Sequence, residues 1–163
     1  MKYSFIIPVY NRPDEVDELL DSLARQECRD FEVVVVEDGS AVPCRDVCHR
    51  YADRLDLHYY NKENSGPGQS RNYGAERAQG EYLIVLDSDV VLPPGYLSAV
   101  DAELAERECD AFGGPDSAHP SVYSGAESHL LLDDELLYHR RNTWRQEETG
   151  QILSPLVQYG HPS

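Results

Sequence analysis

The feature that most constrains this chain is a series of short strand-like runs that each end abruptly in polar or acidic residues, with helix-period segments between them. Tyr3 to Val9, Phe31 to Val36, Leu57 to Tyr60 and Tyr82 to Leu86 are the runs. The first intervening segment places Val16, Leu19, Leu20, Leu23 and Ala24 at i, i+3, i+4, i+7 and i+8 behind Pro13, where an opening helix tolerates proline. Such alternation predicts an α/β fold with a mainly parallel sheet and helices packed on it. Phe31 to Val36, which holds the valine run Val33 to Val36, reads as a continuous β-rich strand of the kind buried on both faces and is expected to stop at Glu37-Asp38-Gly39-Ser40.

The remaining elements follow from the same periods. Val47, Tyr51 and Leu55 suggest a helix within Pro43 to Arg54. Gln69 to Gln79 reads as a helix capped by Gly80, and Pro93-Pro94 should open a helix carrying Tyr96, Leu97, Val100 and Leu104. Ala111 to Gly114 reads as a short strand, and a helix is expected around Leu130 to Tyr138. A chain of 163 residues suffices for one domain. With no internal repeat or linker, residues 1–163 are taken as a single unit.

Composition narrows the function. The net charge is −16, from 30 acidic and 14 basic residues, and the lysines are Lys2 and Lys62. Such a surface repels nucleic-acid backbones and anionic membrane faces, so neither is an expected partner. It reads as a solvated surface suited to high salt. No apolar run approaches the ~20 residues of a membrane span, and the start Met1-Lys2-Tyr3-Ser4 lacks a signal-peptide pattern, which points to a cytoplasmic protein without a transmembrane segment. Cys28, Cys44, Cys48 and Cys109 have no framework spacing and are read as free thiols.

In a parallel sheet the residues just beyond each run gather on one edge, where ligands of open α/β sheets bind. Pro8-Val9-Tyr10-Asn11, Glu37-Asp38-Gly39-Ser40 and Asp87-Ser88-Asp89 should therefore be neighbours. Two acidic clusters on one edge repel each other unless a cation or hydrogen-bond donors share the space. Asp87 and Asp89, at i and i+2, would point to one side if strand geometry continued, with Ser88 turned away. Each piece alone also fits ordinary turn or cap chemistry.

Together, Phe5-Ile6-Ile7-Pro8-Val9-Tyr10-Asn11-Arg12, Val35-Val36-Glu37-Asp38-Gly39-Ser40, Gly66-Pro67-Gly68-Gln69-Ser70-Arg71-Asn72 and Leu86-Asp87-Ser88-Asp89 resemble the successive motifs of family-2 glycosyltransferases over about residues 3 to 115. The resemblance implies the GT-A fold, a Rossmann-like three-layer α/β/α arrangement, and inverting transfer of a sugar from a nucleoside-diphosphate sugar to an acceptor hydroxyl. It implies that Pro8, Tyr10, Asn11, Glu37, Asp38, Arg71, Asp87, Ser88 and Asp89 bind the donor, a UDP-sugar being favoured, and that Asp89 with Asp87 holds Mn2+ or Mg2+. Glu37 stands where the family more often has aspartate. No residue is assigned as general base: Asp116 and Asp133 to Glu135 are considered among the acids beyond the donor motifs, and the family's acceptor-binding part is expected past residue 163. The competing readings are a nucleotide-sugar-binding module without transferase activity, which keeps every motif, and a sugar-phosphate nucleotidyltransferase, whose Gly-rich, basic N-terminal signature is missing.

Overall fold

A computed structural model describes residues 1–106, 111–114 and 136–140. Four parallel strands form the body of the sheet: β1 (Tyr3–Val9), β2 (Phe31–Asp38), β3 (Leu57–Lys62) and β4 (Tyr82–Val85). Two further strands, β5 (Ala111–Gly114) and β6 (Leu136–Arg140), complete a six-stranded order β3-β2-β1-β4-β6-β5, with β6 antiparallel to both neighbours. The helices are α1 (Pro13–Ala24), α2 (Arg45–Tyr51), α3 (Pro67–Arg77) and α4 (Tyr96–Glu106). This is the expected α/β architecture with a mainly parallel sheet.

The period of two along each strand divides the core between the faces of the sheet. Phe5, Ile7, Val9, Val33, Val35 and Ile84 point to one side and pack with buried residues of α1, α2 and α4. Ile6, Val34, Val36, Leu83 and Val85 point to the other and meet Ala75 and Ala78 at α3. On α1, Val16, Leu19, Leu20, Leu23 and Ala24 are all buried, as their spacing requires, while Asp14 and Glu15 occupy the first turn, where carboxylates suit the helix dipole.

Several boundaries differ from the sequence reading. The second and third strands run on through Asp38 and Lys62, because those two residues pair with each other and extend the ladder. Helix α3 begins at Pro67, whose fixed φ suits a first helical position, and is preceded by Gly66 at φ 95°, a conformation costly for any residue with a Cβ. It ends before Gly80: Ala78 turns to extended backbone, which lets the Gln79 N–H reach Glu32 and the Gly80 N–H reach Ser4. Helix α4 starts two residues beyond Pro93-Pro94. The helix expected over Leu130 to Tyr138 is contradicted at its C-terminal end, because Leu136–Arg140 is a strand held between β4 and β5, where ladder pairing overrides local helical preference. Residues 130–135 lie outside the described residues.

Candidate functional site

The register levels the strand ends. Val9 lies opposite Glu37, and Asp38 opposite Lys62, while β4 stops at Val85 opposite Ile6, so its following loop runs beside Pro8 to Tyr10. In a parallel ladder the N–H and C=O of one residue face the same neighbour. Ile6 accepts a hydrogen bond from the Leu86 N–H at 3.0 Å, so Pro8, two residues on, directs its missing N–H toward a strand that has already ended. Proline therefore costs no ladder bond there.

These ends surround a cleft of about 600 Å³. Pro8, Tyr10, Asp38, Arg71, Asp87, Ser88 and Asp89 all line it. Tyr10 is 53% exposed, so its ring is available to a ligand and is not part of the core. Strand geometry does not continue through Asp87 and Asp89. The loop turns, closed by the Val90 N–H on the Asp87 carbonyl at 3.3 Å, and the turn brings Ser88 into the cleft wall with both acids.

Alternation sends Glu37 and Asp38 to opposite faces of β2. Glu37 is fully buried away from the cleft, accepting from the Cys44 N–H at 2.8 Å, the Cys44 thiol at 3.0 Å and the Tyr59 hydroxyl at 3.0 Å. Contact with the Cys48 thiol, then burial and Glu37, push the Cys44 thiol well above its ordinary range, so it stays protonated. Ser40 also donates to Glu37 and accepts from the Asn11 N–H at 2.8 Å. Asn11 has φ 53°, a left-handed conformation that asparagine tolerates, and its side-chain oxygen accepts from the Val42 N–H at 3.0 Å. Glu37 and Asn11 thus hold the shape of the loops after β1 and β2 and do not line the main cleft.

Asp38 does face the cleft. Its carboxylate accepts from the Lys62 ammonium, the Ser65 N–H at 2.9 Å and the Gly66 N–H at 3.0 Å. Burial raises its pKa, but the hydrogen bond from Lys62 and those from the two N–H groups outweigh it, and the net shift is downward. Lys62 was not among the residues expected at the site. Its signal was its rarity: one of two lysines, directly after a β-rich run. Arg12 and Glu15, also unanticipated, line the cleft and pair at 2.7 Å.

Arg71 is the fifth residue of α3, beyond its first turn, and its Nη2 donates to Asp87 Oδ1 at 3.1 Å. Only 9% of its side chain is exposed, and its Nε–H has no hydrogen-bond partner among the described residues. A buried guanidinium with an unused donor, facing a cleft, is suited to an anionic ligand. Among the described residues, Asp87 and Asp89 belong to no group of three metal-ligating side chains; such a group occurs elsewhere, at Glu32, Asp56 and His58. A cation between Asp87 and Asp89 would therefore draw further oxygens from a phosphate or water, the coordination habit of Mg2+. The acids considered as general base, Asp116 and Asp133 to Glu135, lie outside the described residues.

Because the pKa of Asp38 is lower in the folded chain, its clamp adds stability above the unfolded carboxylate pKa, and that stability is lost as pH falls through the folded value. Lys62→Met is expected to lower the melting temperature at neutral pH, with the difference from wild type shrinking as pH drops below about 4, near the unfolded pKa of aspartate. A difference independent of pH down to 2 would show that Lys62 does not act through Asp38.

The model of glycosyl transferase family 2 matches residues 4–153. The chain is 36% identical over 114 residues to poly(ribitol-phosphate) beta-N-acetylglucosaminyltransferase of Staphylococcus aureus, covering 68% of this chain and 20% of that protein. It is 38% identical over 135 residues to validoxylamine A glucosyltransferase of Streptomyces hygroscopicus subsp. jinggangensis, covering 76% and 32%. The chain thus spans less than a third of either relative. Among solved structures, Staphylococcus aureus TarS in complex with UDP-GlcNAc superimposes with a TM-score of 0.70 at 29% identity, over 86% of this chain and 46% of that one. A mannosyltransferase from Pyrobaculum calidifontis in complex with GDP-Man and Mn2+ gives 0.70 at 27% identity, over 86% and 45%. No helix among the described residues is long and apolar enough to cross a membrane.

Proposed function

The chain belongs to glycosyl transferase family 2, and from that premise we propose that its cleft binds a nucleoside-diphosphate sugar, with UDP as the nucleotide, for inverting transfer to an acceptor hydroxyl. The observation that carries this reading is the convergence of Tyr10, Asp38, Arg71, Asp87 and Asp89 on one cleft at the strand ends. The structural relative in complex with UDP-GlcNAc supports the choice of base.

Each side chain has a role suited to its surroundings. The exposed Tyr10 ring offers a face to the base. Asp38, ionised and held in place by Lys62 and the loop after β3, accepts the imide N–H of uracil through a remaining lone pair. Arg71 directs its unpartnered Nε–H to a phosphate oxygen while its Nη2 stays on Asp87. Asp89, exposed on its turn, and Asp87 would hold Mn2+ or Mg2+, for which hard carboxylate oxygens open to solvent are a suitable donor set. When bound, that ion neutralises charge on the departing diphosphate. Ser88 and Glu15, in contact at 3.4 Å, hold the metal-side loop against α1.

Isothermal calorimetry with UDP and GDP, with and without Mn2+, tests this reading. UDP is expected to bind only with the metal present, and more tightly than GDP, since guanine presents a different donor and acceptor edge to Asp38. Equal affinities for the two nucleotides would remove the base-reading role of Asp38, and binding unaffected by Mn2+ would remove the metal from the site.

A further inference from the structure

At the opposite edge of the sheet, where β2 and β3 begin, Glu32, Asp56 and His58 bring three ligand atoms within 4.8 Å of one another. We propose that these residues form a second metal site, selective for a Zn2+-type transition ion and separate from the donor cleft. Asp38 lies six residue steps along β2 from Glu32, so the two sites stand roughly 20 Å apart at ~3.3 Å per residue.

The distances fit a shared ion better than a set of hydrogen bonds. His58 Nε2 lies 3.4 Å from Glu32 Oε2 and 3.2 Å from Asp56 Oδ1, at or beyond the long end of N–H···O contacts. Four ligands arranged tetrahedrally at ~2.0–2.1 Å from an ion sit about 3.3 Å from each other, which is close to the separation of His58 from each of the two acids. One imidazole and two carboxylates form a mixed donor set that Zn2+ and Co2+ accept readily and Mg2+ does not favour.

The buried ligand is also held from behind. Glu32 is 1% exposed, and its Oε1 accepts from the Ser4 hydroxyl at 2.5 Å and the Gln79 N–H at 2.6 Å, which leaves Oε2 turned toward His58. Second-sphere bonds of this kind orient metal-binding carboxylates. A buried carboxylate also needs a compensating charge. Among the described residues, the ion-pair partner of both Glu32 and Asp56 is His58, so one imidazole faces two carboxylates, whereas a divalent ion would compensate both acids. His58 and Asp56 are 40% and 52% exposed, so solvent can deliver the ion and supply a water as fourth ligand. The bound ion would join the starts of β2 and β3 and, through Ser4 and Gln79, brace β1 and the connection from α3 to β4.

Titration of the whole chain with Co2+ provides the test, because tetrahedral Co2+ gives intense visible absorption and is displaced by Zn2+. Wild-type protein is expected to develop that band and to melt at a higher temperature with Zn2+ than with a chelator. His58→Ala and Asp56→Asn, at partly exposed positions that tolerate change, should each weaken Co2+ binding by at least about ten-fold and remove the Zn2+-dependent rise in melting temperature. Asp89→Ala should leave the band intact. A band retained in His58→Ala, or lost in Asp89→Ala, would overturn the site, as would the absence of any band in wild type, which would leave His58 an ion-pair partner of the two acids.

Discussion

Replacing Asp89 with alanine is expected to weaken Mn2+-dependent UDP binding by about 100-fold or more, the upper end of what even indirect support of a metal site costs when removed. Asp89 is exposed on the turn after β4 and makes no ion pair among the described residues, so the loss should appear in affinity and not in folding. Asp87 cannot replace it fully, because one of its oxygens is engaged by Arg71. With the acid gone, the diphosphate would meet a wall still carrying Asp38, Asp87 and Glu15 without the cation that offsets them. Calorimetry and a melting curve on the same sample distinguish the outcomes. Unchanged melting with lost binding supports the assignment, and undiminished binding in the presence of Mn2+ would refute it.

The regular part of the fold was legible because its signals are local and redundant. Phe31 to Val36 cannot be anything but a strand covered on both faces, and the α1 stripe admits one helical face. The strand ends could be placed on a common edge from sequence because parallel strands leave no alternative. What sequence could not supply was the orientation of individual side chains there. Glu37 and Asp38 look equivalent in the chain, yet strand alternation buries the first beneath α2 and turns the second to the cleft. Ser88 was expected to face away on the premise of continued strand geometry, and a turn reversed that. Lys62 and Glu15 were overlooked because their roles depend on contacts across 24 and 73 residues. The expected helix ending at Tyr138 failed for a related reason: whether Leu136–Arg140 is helix or strand is decided by a free strand edge distant in sequence.

The position that couples packing to the site most directly is Gly74, and Gly74→Val is expected to destabilise the chain and impair nucleotide binding together. A Cβ at Gly74 would lie 2.7 Å from Ile6 Cγ2 and 3.1 Å from Val36 Cγ2. Both neighbours are buried, β-branched and fixed in paired strands, so neither can withdraw by a simple rotamer change. Valine in place of glycine would ordinarily favour a helix by a few tenths of a kcal/mol, but that gain is small beside the clash. Overpacking of this kind costs about 1–3 kcal/mol, and each kcal/mol lowers the melting temperature by about 2–4 °C in a chain of this size. Relief of the clash requires α3 to lift from the sheet. Arg71, one turn earlier on the same helix, would then be carried off Asp87, and the Gly66 N–H at the helix start would be drawn from Asp38. Substitution of the exposed Glu76 on the same helix serves as the control and should alter neither property. If Gly74→Val melted like wild type and bound UDP with Mn2+ equally well, the close seating of α3 on β1 and β2 could not be what positions Arg71.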